Sequence, residues 1–229
     1  GRNNIRFSLY FWNSPETYAA MARANQFESE ANKLTLDTEL ESIYIIGDFA
    51  VISQSGYVGH EHGVRCTEGP FILADSLQIC SLEDDLVSQG LPFFAGSIRV
   101  AQTIQIQFGD GDSWLWDFGS QPDATVTRLR INGVEIRLFL WEPYVSNITD
   151  FLRPGENHIE LELTGSCRNL LGPHHHIKGE PIKVGPDSFK DKPGWTDKDL
   201  DPNTSIYQER YAFVPFGLSA TPRLVRIPE

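Results

Sequence analysis

The chain has 229 residues, with 19 Lys and Arg against 31 Asp and Glu, for a formal net charge of −12. That charge repels phosphate backbones and anionic lipid surfaces, so neither nucleic acid nor a membrane is expected as a partner; an uncharged ligand such as a glycan is compatible with it. With 40% hydrophobic and 22% charged residues the composition suits a packed core and excludes global disorder. No run approaches the ~20 apolar residues of a membrane-spanning helix.

Taken in chain order, the first expected element is a helix over 14–31. Ser14 is a natural N-cap, Pro15 suits the first helical position, and Ala20, Ala24, Phe27 and Ala31 recur at helical spacing. Residues 1–33 are therefore read as a helical linker ahead of a domain at 34–229. The chain opens on Gly1 and shows no signal peptide, so a processed or excised piece is expected and the compartment is left unassigned. Strand patterns follow. Ile43–Ile46 is a short apolar run closed by Gly47-Asp48. Over 97–108, Ile98, Val100, Ile104, Ile106 and Phe108 alternate with polar residues, the mark of a half-buried strand. Trp114–Phe118 is the next strand.

A hairpin is expected around Asn132-Gly133, which supplies the positive φ of a type I′ turn. Thr127, Leu129 and Ile131 lead in, and Ile136, Leu138 and Leu140 lead out. Pro154–Asn157 is a further turn, after which Ile159, Leu161 and Leu163 alternate with His158, Glu160 and Glu162. Residues 169–203 are rich in His, Pro, Gly, Asp and Lys and read as a long loop. Tyr211–Leu218 reads as a closing strand. Short alternating strands separated by turns predict an all-β sandwich or barrel.

Five motifs in order carry a family resemblance. They are Gly90-Leu91-Pro92-Phe93-Phe94-Ala95-Gly96, Trp116-Asp117-Phe118-Gly119, Ile131-Asn132-Gly133-Val134-Glu135, Trp141-Glu142-Pro143-Tyr144 followed by Asn147–Leu152, and Pro154–Ile159. Together they resemble the sugar-binding jelly-roll domains of family 2 glycoside hydrolases, best over 88–165. Asn147 stands where that pattern often has Asp. The resemblance implies an antiparallel, galactose-binding-like jelly-roll sandwich with a short N-terminal helix. It further implies an accessory domain of a bacterial glycoside hydrolase that either binds glycan or buttresses the catalytic domain of the same parent chain. The enzymatic alternative is a domain that supplies residues to a hydrolase active site, or carries one. Glycoside hydrolysis needs two carboxylates at a fixed separation, and none of the 31 acidic residues stands in a recognisable catalytic motif.

The residues themselves suggest two kinds of site. Trp114, Trp116, Trp141 and Trp195 present flat rings that suit either the C–H face of a pyranose or a sandwich core. Trp195 lies in a polar segment, and Arg168–His176 mixes an apolar anchor, a turn and three imidazoles. Trp195, His174, His176, Arg168 and Trp114 are accordingly the candidate glycan contacts. Asp110, Asp112 and Asp117 cluster near one turn and are candidate ligands of a structural calcium ion, without EF-hand spacing. His60 and His62 could meet His174 and His176 around a transition metal, or hydrogen-bond within loops. Cys66, Cys80 and Cys167 form no disulfide framework or zinc pattern; they read as buried thiols, or as one bridge and a free thiol in an oxidising compartment.

Overall fold

The alternation at 97–108 becomes a strand because one side chain in two has a core to face. In the computed structural model, which describes residues 4–39, 43–60, 63–75, 77, 79, 81–180 and 207–228, the chain divides into two compact units, Gly1–Gly47 and Asp48–Glu229. The second unit is built from antiparallel strands. In chain order these are β1 (Ala50–Ser53), β2 (Val58–Gly59), β3 (Arg65–Thr67), β4 (Phe71–Ala74), β5 (Ser97–Ile106) and β6 (Ser113–Asp117). There follow β7 (Val126–Ile131), β8 (Val134–Phe139), β9 (Val145–Asn147), β10 (Gly155–Thr164), β11 (Tyr211–Phe213) and β12 (Arg223–Ile227).

The strands form sheets in the orders β5-β10-β7-β8, β12-β6-β9, β11-β3-β2 and β1-β4. Side chains from the first three sheets enter one buried cluster: Leu129, Ile131, Leu161 and Leu163 from the first, Trp116 from the second and Phe213 from the third. Phe118 and Ile148, next to β6 and β9, also belong to it. The architecture is therefore all-β, with antiparallel sheets closed on a shared core. The opposite face of β5-β10-β7-β8 is a lattice of ion pairs, among them Arg99–Glu162 at 2.8 Å, Arg128–Glu162 at 2.9 Å and Arg130–Glu160 at 2.7 Å. Charges at this density mark the water-facing side.

The Asn132-Gly133 hairpin forms with both residues at positive φ, 52° and 82°. Its return strand departs from the expected alternation. Leu129 pairs with Arg137 and Arg130 with Glu135, so Ile136 is an extra, bulged residue on β8. The bulge reverses the parity beyond it: Phe139 enters the core, while Leu138 and Leu140 are exposed. Two further expectations are corrected. Ile43–Ile46 forms no strand, and its side chains stand in solvent, Ile46 at 93% exposure. The helix over 14–31 is two pieces, α1 (Pro15–Ala24) and α2 (Glu28–Ala31), separated where Phe27 turns extended. Phe27 is exposed, so no buried contact holds that turn in helical form. The Ser14 cap is as expected, its Oγ accepting from Thr17 N–H at 3.2 Å. Within the 169–203 stretch, α3 (Arg168–Leu171) opens the segment, and 181–203 lies outside the described residues.

The Gly1–Gly47 unit inverts the usual distribution. Its fully buried described residues are Asn13 and Thr17, while Ile5, Phe7, Leu9, Tyr10, Phe11, Trp12 and Tyr44 are all exposed, Tyr10 at 86%. A polar clasp holds it together. Asn13 Oδ1 accepts from the N–H groups of Asp37 (2.9 Å) and Thr38 (3.1 Å), and Asp37 Oδ2 accepts from Ser14 N–H (2.7 Å) and Thr17 Oγ1–H (2.6 Å). The Ser14 N–H, then Thr17 and Ser14 hydroxyls, hold the Asp37 carboxyl below the ordinary range.

Candidate functional site

The segment expected to contact glycan is largely spent on packing. α3 places Asn169 in the interior, where its Nδ2 donates to Val214 C=O (2.9 Å) and its Oδ1 accepts from Val214 N–H (2.8 Å). The chain then lays His174 against Phe93, Tyr211 and Phe213, with ring centroids 5.5, 6.2 and 5.4 Å away. Its Nε2 meets Asn169 C=O at 2.8 Å. Burial among these rings lowers the His174 pKa, opposed by its bond to Asn169. His175 stacks on Tyr207 at 5.5 Å, and His176 pairs with Tyr207 in an isolated β-bridge. Arg168 Nε donates to Glu180 Oε2 at 2.6 Å, and its Nη2 reaches Gly179 C=O. His60 also lies beside Gly179, its Nδ1 buried without a hydrogen bond among the described residues. His62 and Trp195 lie outside the described residues. The fold therefore brings Arg168 and His174–His176 together as a packed edge around β11.

Trp114 is in another part of the unit, on β6. It packs against Phe108 at 6.4 Å, and Trp116 packs against Phe118 at 5.8 Å, so both indoles of this strand turn toward the core. Asp110 and Asp112 lie in the turn before β6, and Asp117 is at its far end. Asp112 is buried and pairs with Arg226 at 2.7 Å and with Gly109 N–H. Asp117 pairs with Arg223 at 2.7 Å and accepts from Gly119 N–H at 2.7 Å. Hydrogen bonds to Arg226 and Gly109 hold Asp112 below the usual carboxylate range; Gly119 and then Arg223 do the same for Asp117. Five residues of strand separate them by about 16 Å, too far to share one ion. Asp110 is exposed in the turn. Among the described residues no group of three His, Cys, Asp or Glu side chains is placed to hold a metal ion. Cys66 is buried and Cys167 exposed, both as free thiols, and burial pushes the Cys66 thiol up; Cys80 lies outside the described residues.

Two clefts remain. One of about 150 Å³ is lined by Phe94, Asp123, Thr125, Ser166, Asn169 and Phe216, among others. Desolvation, then the nearby charge of Asp85, push the Asp123 carboxyl up. Asp85 itself is raised by burial; its Oδ1 accepts from Val87 and Phe216 N–H at 3.1 Å, and its Oδ2 forms an ion pair with Arg65 Nε at 3.1 Å. Burial beside Asp85 pushes the Tyr57 hydroxyl up to about 12. This cluster pins the 85–87 loop to the chain entering Phe216. Asp123 is the single carboxylate on the cleft it lines, which is not the pair that glycoside hydrolysis requires.

The second cleft, about 270 Å³, lies between the chain after β6 and the chain before β9. Asp117, Ser120, Gln121, Glu142, Pro143 and Tyr144 line it. It holds two carboxylates, but Asp117 is held ionised, the reverse of what a general acid needs. The residue preceding Glu142 is Trp141, 71% exposed. Two of the resemblance motifs, Trp116-Asp117-Phe118-Gly119 and Trp141-Glu142-Pro143-Tyr144, supply residues of this cleft.

The rest of that signature is structural. Asn147 Oδ1 accepts from Thr149 N–H (3.0 Å) and Oγ1–H (2.8 Å), the capping work an aspartate would do. Asn157, fully buried, accepts from Arg153 N–H and Asn132 Nδ2, and donates to the carbonyls of Arg153 and Gly155.

No protein-family model matches the chain, and no curated protein matches it. Among solved structures it is similar to a rhamnosidase from Novosphingobium sp. PP1Y, with 18% identity and a TM-score of 0.40 over 83% of this chain and 16% of that one. It is also similar to an FMN-binding beta-glucuronidase from Facaelibacterium prausnitzii L2-6 (12% identity, TM-score 0.38, 79% of this chain and 23% of that one). A third is a beta-D-glucuronidase from Dictyoglomus thermophilum (15% identity, TM-score 0.36, 81% and 29%). All three are glycoside hydrolases, and this chain spans less than a third of each. None of the three reaches a TM-score of 0.5, so function is read from this chain's own residues.

Proposed function

We propose that the chain is a non-catalytic accessory domain of a bacterial glycoside hydrolase, a jelly-roll sandwich that packs against the catalytic domain of its parent protein through the Gly1–Gly47 unit. The observation that carries this reading is the inverted unit itself. Its clasp buries Asn13 and Thr17 beside an exposed Asp37, while Phe7, Phe11, Trp12 and Tyr44 face solvent. Exposed large apolar side chains in this number point to an interaction surface, since each loses about 1.5–3 kcal/mol of burial energy by staying wet. The occupant fits as a protein surface. The net charge of −12 opposes anionic lipid, and among the described residues no helix is long and apolar enough to cross a membrane. The ordered motifs from Gly90 to Ile159 support a glycoside hydrolase as the parent. A structural calcium ion at Asp110, Asp112 and Asp117 is not part of this proposal, because Asp112 and Asp117 are each paired with an arginine.

A photoreactive phenylalanine analogue at Phe11, in the protein produced by its own cell, tests the reading. Crosslinks to a glycoside-hydrolase catalytic domain are expected. Crosslinks only to lipid, or only to other copies of this chain, would contradict it.

A further inference from the structure

We infer that residues 5–11 are a donor strand that completes an open sheet edge of the catalytic domain, a reading that rests on the docking proposed above. Ile5, Phe7, Leu9 and Phe11 alternate with Arg6, Ser8, Tyr10 and Trp12. One parity is wholly apolar and the other mixed, the period-two pattern of a strand with one face on a core and one toward water. Ile5, Phe7, Tyr10, Phe11 and Trp12 are of the types that favour strands. Yet the segment belongs to no strand, helix or turn, and residues 4–12 are all exposed, the four side chains of the apolar parity at 55–62%. No backbone N–H or C=O of residues 5–11 has a hydrogen-bond partner among the described residues. The first anchored amide is that of Trp12, which donates to Thr38 Oγ1 at 3.3 Å.

The segment thus has the side-chain pattern of a strand and a free ladder of backbone groups, and lacks only the neighbour. An open sheet edge satisfies both. A helix-binding groove does not, because the period is two and not 3.6. Lipid does not, because unpaired backbone groups are costly in hydrocarbon. A second copy of this chain would bring −12 against −12. Seven residues of strand span about 23 Å, an ordinary strand length. Arg6 is the one charge among residues 4–12 and lies on the mixed parity, so no charge enters the apolar face. The root of the segment is fixed as well. Asn13 Oδ1 accepts from the amides of Asp37 and Thr38, and Asp37 Oδ2 accepts from the Ser14 amide at 2.7 Å. Only the residues ahead of this clasp need ordering by the partner, which limits the entropy lost on docking.

Amide hydrogen exchange, resolved residue by residue in the isolated chain and in the whole protein from its own cell, tests the inference. In the isolated chain residues 6–11 are expected to exchange as an unstructured peptide does. In the whole protein every second amide from 6 to 11 is expected to slow at least about a hundredfold, since successive N–H groups of an edge strand point alternately to the neighbour and away. Phe7→Pro together with Ser8→Pro removes two consecutive donors, one of which faces the neighbour in either register. That pair should erase the slowing at 9–11, whereas Phe7→Tyr with Ser8→Thr should keep it. The isolated chain with both prolines should melt with the unaltered one, because those amides bond nothing in it. Unslowed exchange across 6–11, with Phe7 and Phe11 still shielded from hydroxyl radicals, overturns the inference and leaves the docking intact. Unslowed exchange with both rings unshielded overturns both. Slowing at consecutive amides, the mark of a helix formed on binding, overturns the inference, as does slowing that survives the two prolines.

Discussion

The two units of this chain draw on the same residue types and use them in opposite ways. In Asp48–Glu229 the aromatic side chains of Phe118, Phe139 and Phe213 are buried together with Leu129, Ile131 and Leu163. In Gly1–Gly47 the aromatic side chains of Phe7, Phe11, Trp12 and Tyr44 are exposed, and the buried groups are an amide and a hydroxyl. The difference is one of partners. Alternation along β5, β7 and β10 lets sheets share a core, whereas among the described residues of Gly1–Gly47 no apolar side chain is buried. A unit held by polar bonds and clothed in apolar side chains is what the proposed docking onto a catalytic domain requires.

Substitutions should separate the two units in order of effect. Phe213→Ala removes a fully buried ring that Phe71, Phe93 and Tyr57 contact. It should cost about 3–5 kcal/mol in denaturant unfolding. Asn157→Ala strips partners from Arg153, Asn132 and Gly155 and should cost roughly 2–3 kcal/mol. His174→Ala should cost about 2 kcal/mol, and its pH signature is specific. The folded-state pKa of His174 is lowered, so the unfolded chain binds the extra proton first as pH falls below about 6.5. The stability held by neutral His174 is present above that pH and is lost on acidification toward the lowered folded value. Melting scans between pH 7.5 and 5.5 should show this slope in the unaltered chain and a shallower one in His174→Ala. At the small end, Phe11→Ser should change the unfolding energy of the Asp48–Glu229 unit by less than about 0.5 kcal/mol while abolishing the Phe11-directed docking. A loss comparable to Phe213→Ala would mean that Phe11 serves a core, and the comparison would fail.

Much of the sandwich was legible in the sequence because period-two alternation survives wherever one sheet face is buried. β5, β7 and β10 lie where Ile98–Ile106, Thr127–Ile131 and Ile159–Leu163 predicted them. What alternation could not show was the bulge at Ile136, which exchanges Leu138 for Phe139 in the core. β1 to β4 were missed because they are two to four residues long, too short for a period to register. The site was harder to read. The imidazole-rich run at 174–176 stood out by composition, but composition is blind to Phe93 and Tyr211 arriving from distant strands to bury His174. Trp141 and Trp114 look equivalent in sequence; only the fold turns one outward and the other toward Phe108.

Hydroxyl-radical footprinting tests the central claim most directly, comparing the isolated chain with the whole protein from its own cell. Phe7, Phe11, Trp12 and Tyr44 should be oxidised readily in the isolated chain and protected in the whole protein, with Trp141 reactive in both and Phe213 in neither. Equal reactivity of Phe7, Phe11, Trp12 and Tyr44 in the two samples would contradict the account, because the apolar side of the Gly1–Gly47 unit would then have no partner to cover it.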